Sequence, residues 1–340
     1  MKQSLLLLRP QRLLLAAALV CLPCSVRAHC TYPEYTPCGK LSGEFHTMGS
    51  PTMDAITLGW IELFRAAHFE IEDVTTMEAR ANTTVITGLI SGQSQVGPAS
   101  RALFPEETAA FVKKFGYAPT QIRVCSGAFD RVGYSPALAV FVNEHNPLQE
   151  ITLAQLEEIW ARDGKITTWG QLGLTGAWAD RPISLFGLNL PNGIATYFQD
   201  TAMHSRDFRP GIATRSTDRS GVVIVRGLSL MVRGVGENPY AMAYAGPGNQ
   251  QPHTRMLAVS TAPGVPAVIP TRETVLNRSY PLSRYLYVYI NRAPGAALDP
   301  KVKEFLHVIL SRQGQELISR RSPLLPLPPM VVREELSKIY

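Results

Sequence analysis

From Phe45 onward, short apolar runs of strand length alternate with longer runs whose apolar residues recur at helical spacing. Phe45 to Met48, Ile71 to Met77, Gln95 to Ser100 and Gln121 to Ser126 read as strands. Between them, Ile56, Trp60, Leu63, Phe64 and Ala67 make one helical stripe. Thr83 to Ser91 makes a second helix that Gly92 ends, and Pro105 opens a third that Gly116 closes. The pattern continues with a strand at Leu138, Val140 and Val142, then Asn146-Pro147. Thr152 starts a helix with Gln155 as its capping-box partner and Gly164 as its stop. Ile183 to Gly187 is a further strand, followed by a helix carrying Ile194, Tyr197 and Phe198. A helix is expected from about Ser220 to Val235, a strand over Ala241 to Ala245, and loops with short strands over 246–275. Leu286 to Ile290 is a strongly apolar strand, and Pro300 to Arg320 reads as one helix. The Pro-rich stretch 323–329 is expected to dock extended on the first half of the fold. Such alternation predicts α/β architecture with largely parallel sheets.

The amino-terminal end changes the charge picture. Lys2, Arg9 and Arg12 precede an apolar run from Leu13 to Leu22, and Val26-Arg27-Ala28 has the form of a signal-peptidase site. The run is too short to span a membrane. The chain is therefore expected to be exported and cleaved near Ala28, giving a periplasmic or secreted protein. Residues 1–28 carry four basic and no acidic side chains, so the formal +6 falls to +2 once they are removed. That balance gives no ground for a nucleic-acid partner. In an oxidising compartment Cys30 and Cys38 are placed to close a short loop, and Cys125 reads as a buried free thiol. The remaining length suits two domains.

Three strand-to-helix turns could hold an anion. These are Ser50-Pro51-Thr52-Met53, Asn82-Thr83-Thr84 and Asn192-Gly193-Ile194. Free N–H groups and the positive end of a helix dipole can replace an anion's hydration without a metal or cofactor. Each turn alone is equally an ordinary N-cap.

Several segments, in this order, resemble the phosphate-type periplasmic solute-binding proteins that serve phosphate ABC importers. They are GSPTM (49–53), VGPASRAL (96–103), the 137–173 stretch, AMAYAG (241–246), LYVYINRAPG (286–295) and the 302–328 segment ending in PLLPLP. The resemblance implies the type II periplasmic binding protein fold, two α/β lobes joined by two crossing strands. Lobe 1 would be 29–137 plus 255–340 and lobe 2 would be 138–254, with crossings near Ser135–Val140 and within 250–285. It implies a monomer that closes on a small anionic ligand and is read by a membrane ABC permease or sensor. Carried onto this chain, the ligand-binding positions are Thr52, Met53, Asn82, Thr83, Ser100, Arg101, Asn192, Gly193 and Ile194, with Asn189 as a further neutral hydrogen-bonding group.

The chain departs from the family pattern in the second lobe. Where the family carries Arg, three residues and then Ser-Gly-Thr, this chain has Leu188 and Asn192-Gly193-Ile194. Arg101 stands where phosphate binders often carry aspartate. The resemblance therefore implies phosphate or a related oxyanion, held less tightly than usual, since a bond to a charged group contributes about 1.5–3 kcal/mol. The alternatives are a receptor of the same fold that signals or scaffolds without import, and a secreted hydrolase. No G-x-S-x-G, no H-E-x-x-H and no histidine cluster supports the hydrolase.

Overall fold

The computed structural model of this protein describes residues 31–76, 81–212 and 225–340. The expected signal segment, Cys30 and the start of the helix expected from Ser220 lie outside the described residues. Among the described residues no helix is long and apolar enough to cross a membrane.

The first half of the chain builds β1 (Glu44–Thr47), α1 (Asp54–Ala67), β2 (Asp73–Thr76), α2 (Thr84–Ser91), β3 (Val96–Ala99), α3 (Pro105–Phe115) and β4 (Thr120–Ser126). Alpha-helix α1 buries Ile56, Trp60 and Phe64 of the expected stripe together with Ile61, while Leu63 and Ala67 are half-buried. Pro105 sits at the start of α3, where its missing N–H is no loss, and Glu107 accepts the Phe104 N–H at 2.7 Å.

The middle of the chain adds β5 (Ala139–Asn143), β6 (Glu150–Thr152), α4 (Leu153–Trp160), β7 (Ser184–Phe186), α5 (Gly193–Ala202), α6 (Val225–Glu237), β8 (Ala241–Ala245), β9 (Thr254–Met256), β10 (Ala258–Ser260) and α7 (Arg272–Leu276). The capping box of α4 is present: Gln155 N donates to Thr152 Oγ1 at 3.0 Å, and Thr152 N donates to Gln155 Oε1 at 2.9 Å. This helix ends at Trp160 rather than at Gly164, because Ala161 turns extended and bridges to Phe208. The chain then returns through β11 (Tyr285–Ile290) to α8 (Pro300–Leu310), α9 (Arg312–Arg321) and α10 (Pro329–Ser337). The single helix expected over 300–320 is broken at Ser311, whose backbone is extended and whose Oγ caps α9 by accepting from Gly314 N at 3.1 Å.

The sheets are mixed, not largely parallel. The first has the order β2-β1-β3-β11-β4. Strand β1 runs parallel to β2 and β3, but β11 runs antiparallel to both β3 and β4. The second has the order β7-β8-β5-β9, with only β7 and β8 parallel. Strands that enter a sheet from the other half of the chain arrive in the opposite direction. Nothing in an apolar run records that direction.

Each sheet has its own core. Phe45, Trp60, Phe64 and Phe305 pack in the first, with the Phe45–Phe305 ring centroids 5.0 Å apart. Trp160, Phe198 and Tyr244 pack in the second, where the last two stack at 4.1 Å. Strand β10 pairs with β6, and Val259, Val275, Tyr280 and Leu282 belong to the second core. That core therefore draws on residues beyond 254, the end expected for the second lobe. The two connecting segments lie side by side: Leu138 N donates to Leu282 O and Gly127 N to Arg284 O, each at 3.0 Å. The Pro-rich stretch docks extended, with Ser126 and Leu325 exchanging backbone bonds at 2.7 and 3.1 Å.

Candidate functional site

The ends of β1 and β3 come together beside the start of α1. Ser50 N donates to Pro98 O at 2.7 Å, and a Cβ at Gly49 would lie 2.0 Å from that same carbonyl, so only glycine fits there. Ser50 Oγ donates to Ser100 Oγ at 2.8 Å. Ser100 in turn gives its N–H to Asn82 Oδ1 at 2.8 Å and its hydroxyl at 3.3 Å. Hydrogen bonds thus fix three turns against one another, and Thr52 stands at the mouth of the first.

A cavity of about 260 Å³ opens over these turns. One wall comes from the first sheet's elements: Thr52, Ser100, the stem of Arg101, and Arg284 just ahead of β11. The opposite wall is Asn192, Gly193 and Ile194 at the start of α5, with Leu228 of α6. The segment Gly133-Tyr134-Ser135 closes one side. That segment belongs to a loop that folds back on itself, with Ala128 N donating to Ser135 O at 3.1 Å and Ala137 N to Ala128 O at 3.0 Å. The two walls meet at Gly193, where an added Cβ would lie 3.0 Å from Arg101 Cδ.

Of the ten positions expected from sequence, Thr52, Ser100, Arg101, Asn192, Gly193 and Ile194 line this cavity. Met53 is buried in the first core. Asn82 sits behind Ser100 and positions it, with its own Nδ2 buried and unbonded. Thr83 is exposed at the start of α2. Asn189 lines a separate hollow with Arg162 and Phe208. Leu188 is buried in the second sheet's core, and its N–H donates to Tyr244 OH at 3.2 Å.

The charges differ from expectation. Arg101 was the expected cation, but its guanidinium grips Glu107, with Nη1–Oε2 at 2.6 Å and Nη2–Oε1 at 2.8 Å, and lies 3.4 Å over the Phe104 ring. Asn192 Oδ1 accepts from Ile194 N at 2.8 Å and Ala195 N at 3.2 Å, the ordinary N-cap, so this turn already satisfies two of its own amides.

Arg284 was not expected. It is 3 % exposed, it donates Nη2 to Ser100 O at 3.2 Å, and its Nε has no partner. Its guanidinium lies 4.8 Å over the Tyr197 ring. Burial pulls its affinity for the proton below the ordinary arginine value, which still leaves it charged at neutral pH. Burial likewise pushes the Tyr197 hydroxyl up to about 12, with the Arg284 charge pulling the other way, so it stays a neutral donor to Ser283 O at 2.8 Å. Among the described residues Arg284 has no carboxylate partner. The signal in the sequence was a lone arginine directly before the buried run of β11. The linear pattern could not show which way it faces.

Among the described residues the cavity lining holds no histidine, cysteine or carboxylate. The Ser100 hydroxyl is bonded to Ser50 and Asn82, not to a base. This arrangement can bind and orient an anion.

Comparison with known proteins agrees with this geometry. The PBP superfamily domain matches residues 36–313. The phosphate-binding protein PstS of Pseudomonas aeruginosa is 32% identical over 313 residues, covering 90% of each chain. Protein SphX of Synechococcus elongatus is 30% identical over 70% of this chain and 64% of its own. Among solved structures, an ABC-type phosphate transport receptor from Vibrio cholerae superposes with a TM-score of 0.53 at 20% identity, covering 84% of this chain and 100% of its own. PstS from Borrelia burgdorferi superposes with a TM-score of 0.54 at 19% identity, covering 84% and 99%. The two superpositions establish the fold. The chain belongs to the PBP superfamily and has its two-lobe α/β architecture.

Proposed function

We propose that this member of the PBP superfamily is an extracytoplasmic solute-binding protein. It holds phosphate or a related oxyanion between its lobes and presents it to an ABC permease. The observation that carries this reading is Arg284, a buried guanidinium facing a cavity in which, among the described residues, no carboxylate neutralises it. An unpaired buried charge is costly unless a ligand completes it. Thr52 supplies a hydroxyl beside it, and the names of the relatives give the class of ligand. The lobe boundaries that fit are the paired connections at 127–138 and 280–284, about which the lobes would close. Export follows from the amino-terminal segment, with a mature start near His29. Asn82 acts as a positioning group for Ser100, and Thr83 and Asn189 have no part in the site.

A receptor of the same fold that signals without import is the second reading. It is favoured by the second wall, where Ile194 stands in place of a hydroxyl that would grip a dianion. Native mass spectrometry of protein purified from the periplasm without refolding tests the main reading. A bound oxyanion that excess phosphate displaces is expected. Absence of binding by every phosphorus and sulfur oxyanion tried would overturn it.

A further inference from the structure

Resting on the reading that this cleft takes an oxyanion, we propose that its ligand carries a carbon substituent. It would be a small alkylphosphonate or alkyl phosphate monoester, with its oxygens on Thr52 and Arg284 and its carbon chain against Ile194 and Leu228.

Among the described residues the charged groups of the lining, Arg101 and Arg284, stand on one side only. Thr52, Ser100 and Arg284 form the polar wall, and the Arg284 guanidinium supplies its charge. Arg101 adds no free charge because Glu107 holds both of its terminal nitrogens. The facing wall presents the side chains of Ile194 and Leu228. The helix start there offers less than it would if open, because Asn192 Oδ1 already takes the N–H groups of Ile194 and Ala195.

An inorganic phosphate has four oxygens, all strongly hydrated. Any oxygen turned toward Ile194 and Leu228 would give up its water for no equivalent bond. A carbon in that position loses nothing and gains apolar contact. There is also room for it. A volume of 260 Å³ corresponds to roughly eight or nine water volumes, more than the five heavy atoms of phosphate fill. The same geometry therefore discriminates against the bare ion and in favour of a short alkyl group.

Calorimetry on the mature chain, freed of ligand by exhaustive dialysis, tests this with inorganic phosphate, ethylphosphonate and ethyl phosphate as probes. One of the two organic probes is expected to bind at least tenfold tighter than phosphate, and the pair shows which linkage the site takes. Going from the methyl to the ethyl homologue should tighten binding about fourfold. Ile194→Thr should cut the preference several-fold by replacing a methylene-bearing branch with a hydroxyl, while Ile194→Val retains most of it. Phosphate binding as tightly as both organic probes would overturn the inference while leaving the oxyanion reading intact. So would a preference that Ile194→Thr does not change in a variant of unaltered Tm. Binding of none of the three would remove both.

Discussion

The Arg101 guanidinium closes a two-point contact with the Glu107 carboxylate, at 2.6 and 2.8 Å, beside the cavity that Arg101 lines. The pair is structural. Both side chains are largely buried, and losing one partner would leave the other charge unpaired.

Arg101→Ala is therefore expected to weaken anion binding by no more than about threefold and to lower stability by about 3 kcal/mol. Calorimetry and urea unfolding check the two effects separately. A hundredfold loss of affinity with unchanged stability would show that Arg101 reaches the ligand.

The walls meet where Gly193 faces the pinned Arg101 stem, and an alanine methyl would stand 3.0 Å from Arg101 Cδ. Because Glu107 holds the guanidinium, the stem cannot swing aside freely. Gly193→Ala should hold the lobes slightly apart, at a cost of about 1 kcal/mol, or roughly fivefold in affinity. Small-angle scattering with saturating ligand should show a less compact form than the parent. Identical profiles would rule this out.

How much of this was legible beforehand differs between fold and site. Strands β5, β8 and β11 are short apolar runs, and α1 and α4 carry clear stripes or caps, so each is visible in one dimension. The break at Ser311 was not, because the apolar spacing runs on through α8 and α9 and only the Ser311 cap onto Gly314 interrupts it. The direction of β11 and the pairing of β10 with β6 depend on where the chain returns. In the site, Thr52, Ser100 and the Asn192 turn were visible because helix starts carry small polar residues. Arg284 was hidden because a single charge before a strand has no periodic signature. The partner of Arg101 was hidden as well, although Glu107 lies only six residues on.

Cys125 is fully buried in β4, and burial pushes its thiol far above the ordinary range. Iodoacetamide at about pH 8 should leave it unmodified in the native protein and label it after unfolding in guanidinium. Rapid native labelling would mean that β4 opens locally. The expected Cys30–Cys38 bridge is tested by the same peptide map run without reductant. Cys38 is exposed, and Cys30 lies outside the described residues.

His307 lies partly buried on α8, 3.7 Å from Glu304. Burial lowers its proton affinity below the ordinary imidazole value, with Glu304 pulling upward against it. A depressed folded-state value means that the contribution to stability is present above about pH 6.5 and is lost as the pH falls through the folded value. The urea midpoint of the parent should therefore drop more between about pH 7 and pH 5 than that of His307→Gln. Parallel pH profiles would contradict the assignment.

The account stands most directly on Arg284, and Arg284→Gln is the measurement that tests it. Calorimetry with the tightest of phosphate, ethylphosphonate and ethyl phosphate should show a loss of about a hundredfold or more, the equivalent of one or two hydrogen bonds from a charged donor. The ligand-free variant should at the same time unfold at the same temperature or higher, because a buried cation with no carboxylate partner among the described residues has been removed. Affinity unchanged in a folded Arg284→Gln variant would contradict the claim that this guanidinium is the anchor of the cleft.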